Sequence, residues 1–163
     1  HRRENFGQPI QNICRALRLL VERYEDTLRI LYPVHMNPNI QEPVNKLLKD
    51  VPQVILTPPM DYLSLVHLMK AAHIVLTDSG GIQEEATGLG KPTLVLRDKT
   101  ERPEGLEAGV LKLVGSDVQR IVNEASKLMD DQDAYASMAH AANPFGDGKA
   151  AARIVQAIME YSE

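Results

Sequence analysis

Residues 73–89 read His-Ile-Val-Leu-Thr-Asp-Ser-Gly-Gly-Ile-Gln-Glu-Glu-Ala-Thr-Gly-Leu, and the fold turns on that order. The β-branched run 73–77 reads as a strand. Gly80 and Gly81 turn the chain, and a helix is expected over about 82–89. A short apolar strand feeding a helix through a tight turn is the repeating unit of a parallel sheet.

The same unit recurs on both sides. Upstream, Val54-Ile55-Leu56 is a strand stopped by Pro58-Pro59, and Asp61 is placed to cap a helix reaching about 72. Leu65, Val66 and Met69 are expected on its inward face. Before that lie an apolar strand at 28–34 and a helix starting near Pro43 with Val44, Leu47 and Leu48. Ile10, Ile13, Cys14, Leu17, Leu20 and Val21 fall at helical spacing, giving a helix over about 9–24. Downstream come a strand at 93–96, a polar loop at 97–107 and a last strand at 110–114. Ser116 and Gln119 form a capping-box pair for a helix over about 117–129. Helices are expected over about 132–140 and 149–161, separated by the turn-rich 143–148. The fold class expected is α/β, a single domain over 1–163 with a Rossmann-like parallel sheet and helices on both faces. Ligands in such sheets bind outside the carboxyl ends of the strands. The loops after Val34, Leu56, Thr77 and Leu96 are therefore the ones to watch.

Composition narrows the function classes. The 163 residues are 44% hydrophobic and 25% charged, too apolar for intrinsic disorder and enough for one core. Eighteen basic and 22 acidic residues give a formal charge of −4, spread along the chain, so no nucleic-acid footprint is expected. No apolar run approaches the ~20 residues of a membrane span. A single cysteine, Cys14, excludes an internal disulfide and a cysteine-rich zinc site; on the apolar face of the first helix it reads as a buried thiol. No histidine pair has ligand spacing beside a carboxylate, so no metal is expected, and nothing calls for a cofactor. His67, His73 and His140 read as structural. The opening residues are dense in functional side chains, so the chain reads as a fragment cut at or inside a motif.

The chemistry concentrates at strand ends. Where a strand, glycines and a helix follow one another, free N–H groups and the helix dipole converge on one point, which suits a phosphate. Ser79 can add a hydroxyl, and a carboxylate at Glu85 can accept from both hydroxyls of a ribose. The bland alternative is a glycine turn with acidic residues favouring a helix start. The run is neither a P-loop nor a G-x-G-x-x-G fingerprint. Arg102, in the loop after the next strand, can pair with phosphate oxygens or a sugar-bearing ligand, or simply be solvated. His1, with Arg2 and Arg3 beside it, can serve a diphosphate leaving group, or be a ragged end. His35 follows the first strand and so falls at the ligand edge.

Taken in register, these runs resemble one family. His-Arg-Arg-Glu-Asn at 1–5, Tyr-Pro-Val-His-Met-Asn-Pro-Asn at 32–39, Thr-Asp-Ser-Gly-Gly-Ile-Gln-Glu-Glu-Ala at 77–86, Arg-Asp-Lys-Thr-Glu-Arg-Pro-Glu-Gly at 97–105 and Asn-Pro-Phe-Gly-Asp-Gly at 143–148 resemble the bacterial non-hydrolysing UDP-N-acetylglucosamine 2-epimerases. The resemblance covers the C-terminal half of such an enzyme. It implies the C-terminal lobe of a GT-B-like two-lobed fold and the interconversion of UDP-GlcNAc and UDP-ManNAc. The mechanism implied is anti-elimination of UDP to 2-acetamidoglucal and re-addition after C2 proton exchange. It assigns the diphosphate to Ser79, Gly80 and Gly81, the ribose to Glu85, the UDP or sugar region to Arg102, and assistance to UDP departure to His1. His35, with Arg3, resembles residues that contact a second, activating UDP-GlcNAc.

Two positions depart from the family pattern. Leu65 stands where many members carry an aromatic that helps hold the uracil, so apolar contact is kept and stacking lost. Lys99 stands where Thr is common. The carboxylates that move the C2 proton belong to the N-terminal lobe, outside this chain. The resemblance further implies a cytoplasmic enzyme of cell-envelope polysaccharide synthesis, a homodimer at full length, and a last helix packed toward the N-terminal lobe. Rival readings are a GT-B glycosyltransferase donor lobe, a hydrolysing epimerase and a non-catalytic nucleotide-sugar-binding module.

Overall fold

The computed structural model describes residues 2–161. Its elements alternate as expected. After a 3-10 turn at Arg3–Asn5 come α1 (Gln8–Tyr24), β1 (Ile30–Pro33), α2 (Pro38–Leu48), β2 (Val54–Thr57), α3 (Tyr62–Ala71) and β3 (Val75–Thr77). The chain continues through α4 (Gly80–Gly88), β4 (Thr93–Val95), α5 (Pro103–Glu107) and β5 (Leu111–Leu113). Helices α6 (Val118–Asp130), α7 (Gln132–Ala139) and α8 (Ala150–Tyr161) complete it.

All strand pairs are parallel, which helical crossovers make possible. They form two ladders, β1-β2 and β3-β4-β5, rather than the one sheet expected. Between β1 and β3 runs a cleft of about 640 Å³, lined by Ile30, Tyr32, Ile74 and Leu76 among others. Across β3–β5 both faces are covered. Leu94 and Leu96 turn to α1 and α6, while Val95 joins Val110, Leu111, Leu106 and Phe145 on the other side. Over β1-β2 only one face is closed. Leu31 and Ile55, paired in register, are 38% and 48% exposed. The reason lies in α3, where only Met69 is buried and Leu65 and Val66 remain half-exposed. Helix α3 packs against α4 instead of roofing that face.

The core gathers around α1. Its residues Ile10, Ile13, Cys14, Leu17, Leu20 and Val21 meet α2 and α6. Cys14 is fully buried, and burial pushes its thiol up to about 12, so it is inert at neutral pH.

Local chemistry moved several boundaries. Helix α2 starts at Pro38, not near Pro43, because the Asn37 side chain accepts from the Asn39 N–H at 2.9 Å and proline suits the first helical position. Pro43 then sits inside the helix, whose buried face is Ile40, Val44 and Leu48. The cap of α6 is Asp117, whose carboxylate accepts from the Arg120 N–H at 2.8 Å, so the Ser116–Gln119 box is not formed. The polar stretch 97–107 is half helix, since Pro103 opens α5. Gly80 and Gly81 are not a turn. They are the first residues of α4, with Ser79 as its cap, and neither has a positive φ.

Candidate functional site

Parallel pairing sets every strand's carboxyl end on one edge, and Val34, Thr57, Asp78 and Leu96 lead away from it. At the third of these exits, α4 begins. Its first N–H groups have no intrahelical partner, and no acidic residue in the first turn neutralises the positive end of the dipole. Ser79 takes an extended cap conformation without turning its hydroxyl back onto the helix. Gly80 is buried and Gly81 exposed. A Cβ on Gly80 would have Nη2 of Arg102 and Nη2 of Arg2 as its nearest neighbours, each at 3.8 Å. Two guanidiniums thus come to the head of the helix, both within van der Waals reach of the position a Gly80 side chain would take.

Neither arginine belongs to a long element, and each is anchored from outside. The arm carrying Arg2 is fixed to β3 and β4. The Arg2 N–H and Asn5 Nδ2 both donate to Asp78 Oδ2 at 3.0 Å, and Asn5 Nδ2 also reaches the Leu96 carbonyl at 3.3 Å. The Arg2 side chain donates to the Asp78 carbonyl at 3.4 Å. On the other arm, Arg102 pairs through Nε with Glu84 and through Nη1 with the Glu101 carbonyl, leaving Nη2 toward Gly80. Thr100 steadies this arm. Its hydroxyl donates to the fully buried Gln83 Oε1 at 2.6 Å and accepts from the Arg102 N–H at 3.2 Å.

Arg97 lies beneath both arms. Its side chain is 7% exposed, and its Nε donates to Glu4 at 2.6 Å while Nη1 and Nη2 fork onto Glu101 at 2.6 and 2.9 Å. The Arg97 bonds hold the Glu101 carboxyl down at about 2. Glu85 follows one and a half turns into α4, with Oε1 4.0 Å from a Cβ on Gly81. Its Oε2 is shielded from solvent and accepts no bond from a described group, so it is an unused acceptor near the head of α4.

Leu65, His35, Asp78 and Ser79 share the rim of the cleft between β1 and β3, although most of that cleft is the apolar body of the seam. The rim is the part that belongs to the site. His35 is exposed and its Nδ1 accepts from the Asn37 N–H at 3.1 Å. Arg3 is exposed and apart from Gly80. The structure therefore brings together Ser79, Gly80, Gly81, Glu85 and Arg102, sets Leu65 and His35 at the neighbouring rim, and leaves Arg3 facing solvent. His1 lies outside the described residues. Of the two adjacent arginines, it is Arg2 that reaches Gly80. The Arg2-Arg3 run signals a pair, but only the fold selects its member. His73 is structural, stacked on Tyr135 at 4.2 Å.

Among the described residues no group of three or more His, Cys, Asp or Glu side chains is placed to hold a metal, and no helix is long and apolar enough to cross a membrane.

The family profile described as UDP-N-acetylglucosamine 2-epimerase matches residues 1–159. The chain belongs to the UDP-N-acetylglucosamine 2-epimerase family. A probable UDP-N-acetylglucosamine 2-epimerase of Ralstonia nicotianae is 54% identical over 161 residues, which are 99% of this chain and 43% of that protein. The Escherichia coli K12 UDP-N-acetylglucosamine 2-epimerase is 53% identical over 158 residues, 97% of this chain and 42% of that one. Among solved members, the Neisseria meningitidis enzyme bound to UDP-GlcNAc superposes with a TM-score of 0.92 at 47% identity, over 98% of this chain and 43% of that chain. The S. aureus MnaA structure with UDP gives 0.93 at 46% identity, over 99% and 44%. The chain spans under half the length of these family members. A TM-score of 0.55 to the E. coli heptosyltransferase WaaC, at 15% identity, reflects the shared fold alone.

Proposed function

We propose that this chain is the C-terminal, nucleotide-sugar-binding lobe of an enzyme that interconverts UDP-GlcNAc and UDP-ManNAc by eliminating and re-adding UDP. The observation that carries the reading is the head of α4, where Arg2 and Arg102 each stand 3.8 Å from a Cβ on Gly80. Relatives solved with UDP and with UDP-GlcNAc support the ligand class.

Elimination breaks the C1–O bond of the sugar, and its electron pair leaves with the diphosphate while the C2 proton goes to a base. The transition state therefore gathers negative charge on the departing phosphate oxygens. Pre-aimed N–H groups and guanidiniums stabilise that charge without reorganising. Here Ser79, Gly80 and Gly81 hold the diphosphate, with Arg2 and Arg102 on either side. The unused Glu85 oxygen accepts from the ribose hydroxyls, and Leu65 gives the uracil an apolar contact without stacking. His1 assists UDP departure. Arg3 and His35 serve a second, activating UDP-GlcNAc. The carboxylates that exchange the C2 proton come from an N-terminal lobe against which α8 lays Ile154, Val155, Ile158 and Met159, and the full enzyme is a cytoplasmic homodimer.

Titration of the chain with UDP, UDP-GlcNAc and ADP, on wild type and Glu85→Ala, tests this. UDP and UDP-GlcNAc are expected to bind more tightly than ADP, and Glu85→Ala to weaken both uridine ligands about tenfold through lost ribose hydrogen bonds. Equal weak responses to all three, unmoved by the substitution, would overturn the assignment.

A further inference from the structure

Arg97 departs from the ordinary placing of a charged side chain. It is 7% exposed, whereas its partners Glu4 and Glu101 are 50% and 57% exposed. Burying a guanidinium is costly unless its hydrogen bonds are well made, so such a residue adds little to stability that an apolar side chain could not. Its geometry is more informative. One edge of the planar group, Nε, grips Glu4, and the other two nitrogens grip Glu101. Glu4 lies two residues from Arg2, and Glu101 immediately precedes Arg102. Each arm has anchors of its own, Asp78 for Arg2 and Thr100 with Glu84 for Arg102, but neither is part of a long element. Arg2 precedes a 3-10 turn of three residues, and Arg102 is the cap of a five-residue helix without a side-chain cap bond.

We propose that Arg97 is a positioning residue, one rigid guanidinium tying the Arg2 arm to the Arg102 arm and so setting the two charges that meet at Gly80. The proposal rests on the α4 head being a diphosphate site. A purely structural ion pair would stabilise the chain as a whole. A positioning residue changes the response to phosphate selectively. Lysine cannot replace it, because an ammonium offers no planar fork to span both carboxylates.

The test compares binding of UDP with binding of uridine by NMR titration of the chain at fixed ionic strength. Arg97→Lys is measured in the presence of Arg102 and in an Arg102→Ala background. Glu101→Gln is the milder variant, since Arg97 keeps Glu4 and the fold is kept. With Arg102 present, both variants are expected to weaken UDP about tenfold and leave uridine unchanged. In the Arg102→Ala background the same substitutions are expected to weaken UDP by clearly less, about threefold, because only the Arg2 charge is left to misplace, the signature of coupled residues. Equal losses for UDP and uridine, equal losses in both backgrounds, or no loss in either variant would each overturn the positioning role. If wild type prefers UDP over uridine while the variants behave so, this inference fails alone. A wild type without that preference sinks the diphosphate reading and this inference with it.

Discussion

A Cβ on Gly105 would stand 2.4 Å from Leu111 Cδ1 and 2.8 Å from Phe145 Cζ, so hydrogen is the only side chain that fits there. The φ of this glycine is not positive, and its identity is a matter of space alone. Gly105→Ala is expected to destabilise the chain by about 1–3 kcal/mol, the usual penalty of overpacking, as read by denaturant unfolding. An unchanged midpoint would show that Leu111 and Phe145 yield freely. The contact also explains the run at 143–148, which sequence reading takes as a turn. Asn143 Oδ1 accepts from the Phe145 N–H at 3.0 Å, and the ring is packed with Val95 and Leu111, behind the helix that Arg102 caps. At this scale the grouping of Ser79, Gly80, Gly81, Glu85 and Arg102 at the head of α4 was legible, because a strand, a glycine pair and a helix in succession, with a charged loop after the next strand, put them at one strand end. Arg97 and Gln83 were not. Nothing in their residue types separates a surface side chain from one buried under two loops.

Among the elements, α8 behaves unlike the rest. Every one of its described residues is exposed, including Ile154, Val155, Ile158 and Met159 at 57–67%. A helix of 12 residues is marginal in water when packing does not support it. Amides of 151–161 are therefore expected to exchange in hydrogen-exchange mass spectrometry far sooner than those of α1, whose apolar stripe is buried. Protection of α8 equal to that of α1 would mean its apolar face is covered in this chain. Element identities followed well from periodicity, since every helix of eight or more residues and every strand was expected. Starts followed less well. Caps are set by which of several polar side chains reaches an N–H three residues on, as Asp117 does in place of Ser116 and Asn37 does ahead of Pro43.

For the molecule as a whole, binding and turnover should separate. The chain carries the anion site proposed at the head of α4, and the carboxylates proposed for the C2 proton belong to the other lobe. It is expected to bind UDP weakly and to produce no UDP-ManNAc from UDP-GlcNAc over hours, with no deuterium entering C2 in D₂O, as followed by proton NMR. Epimerisation by the pure 163-residue protein would relocate the proton-transferring groups into this chain. Alternating short apolar strands and amphipathic helices determined by themselves an α/β fold with parallel strands, because local periodicity fixes the type of each element and crossovers fix their direction. They also placed the loops after the strands on one edge, since parallel strands share one carboxyl end. Only the tertiary structure decided that the strands divide into two ladders, that α3 leaves Leu31 and Ile55 bare, and that Arg2 rather than Arg3 meets Arg102 over Gly80. Those outcomes depend on contacts between segments more than 70 residues apart, such as Arg2 with Asp78 and Glu4 with Arg97, and no local pattern encodes them.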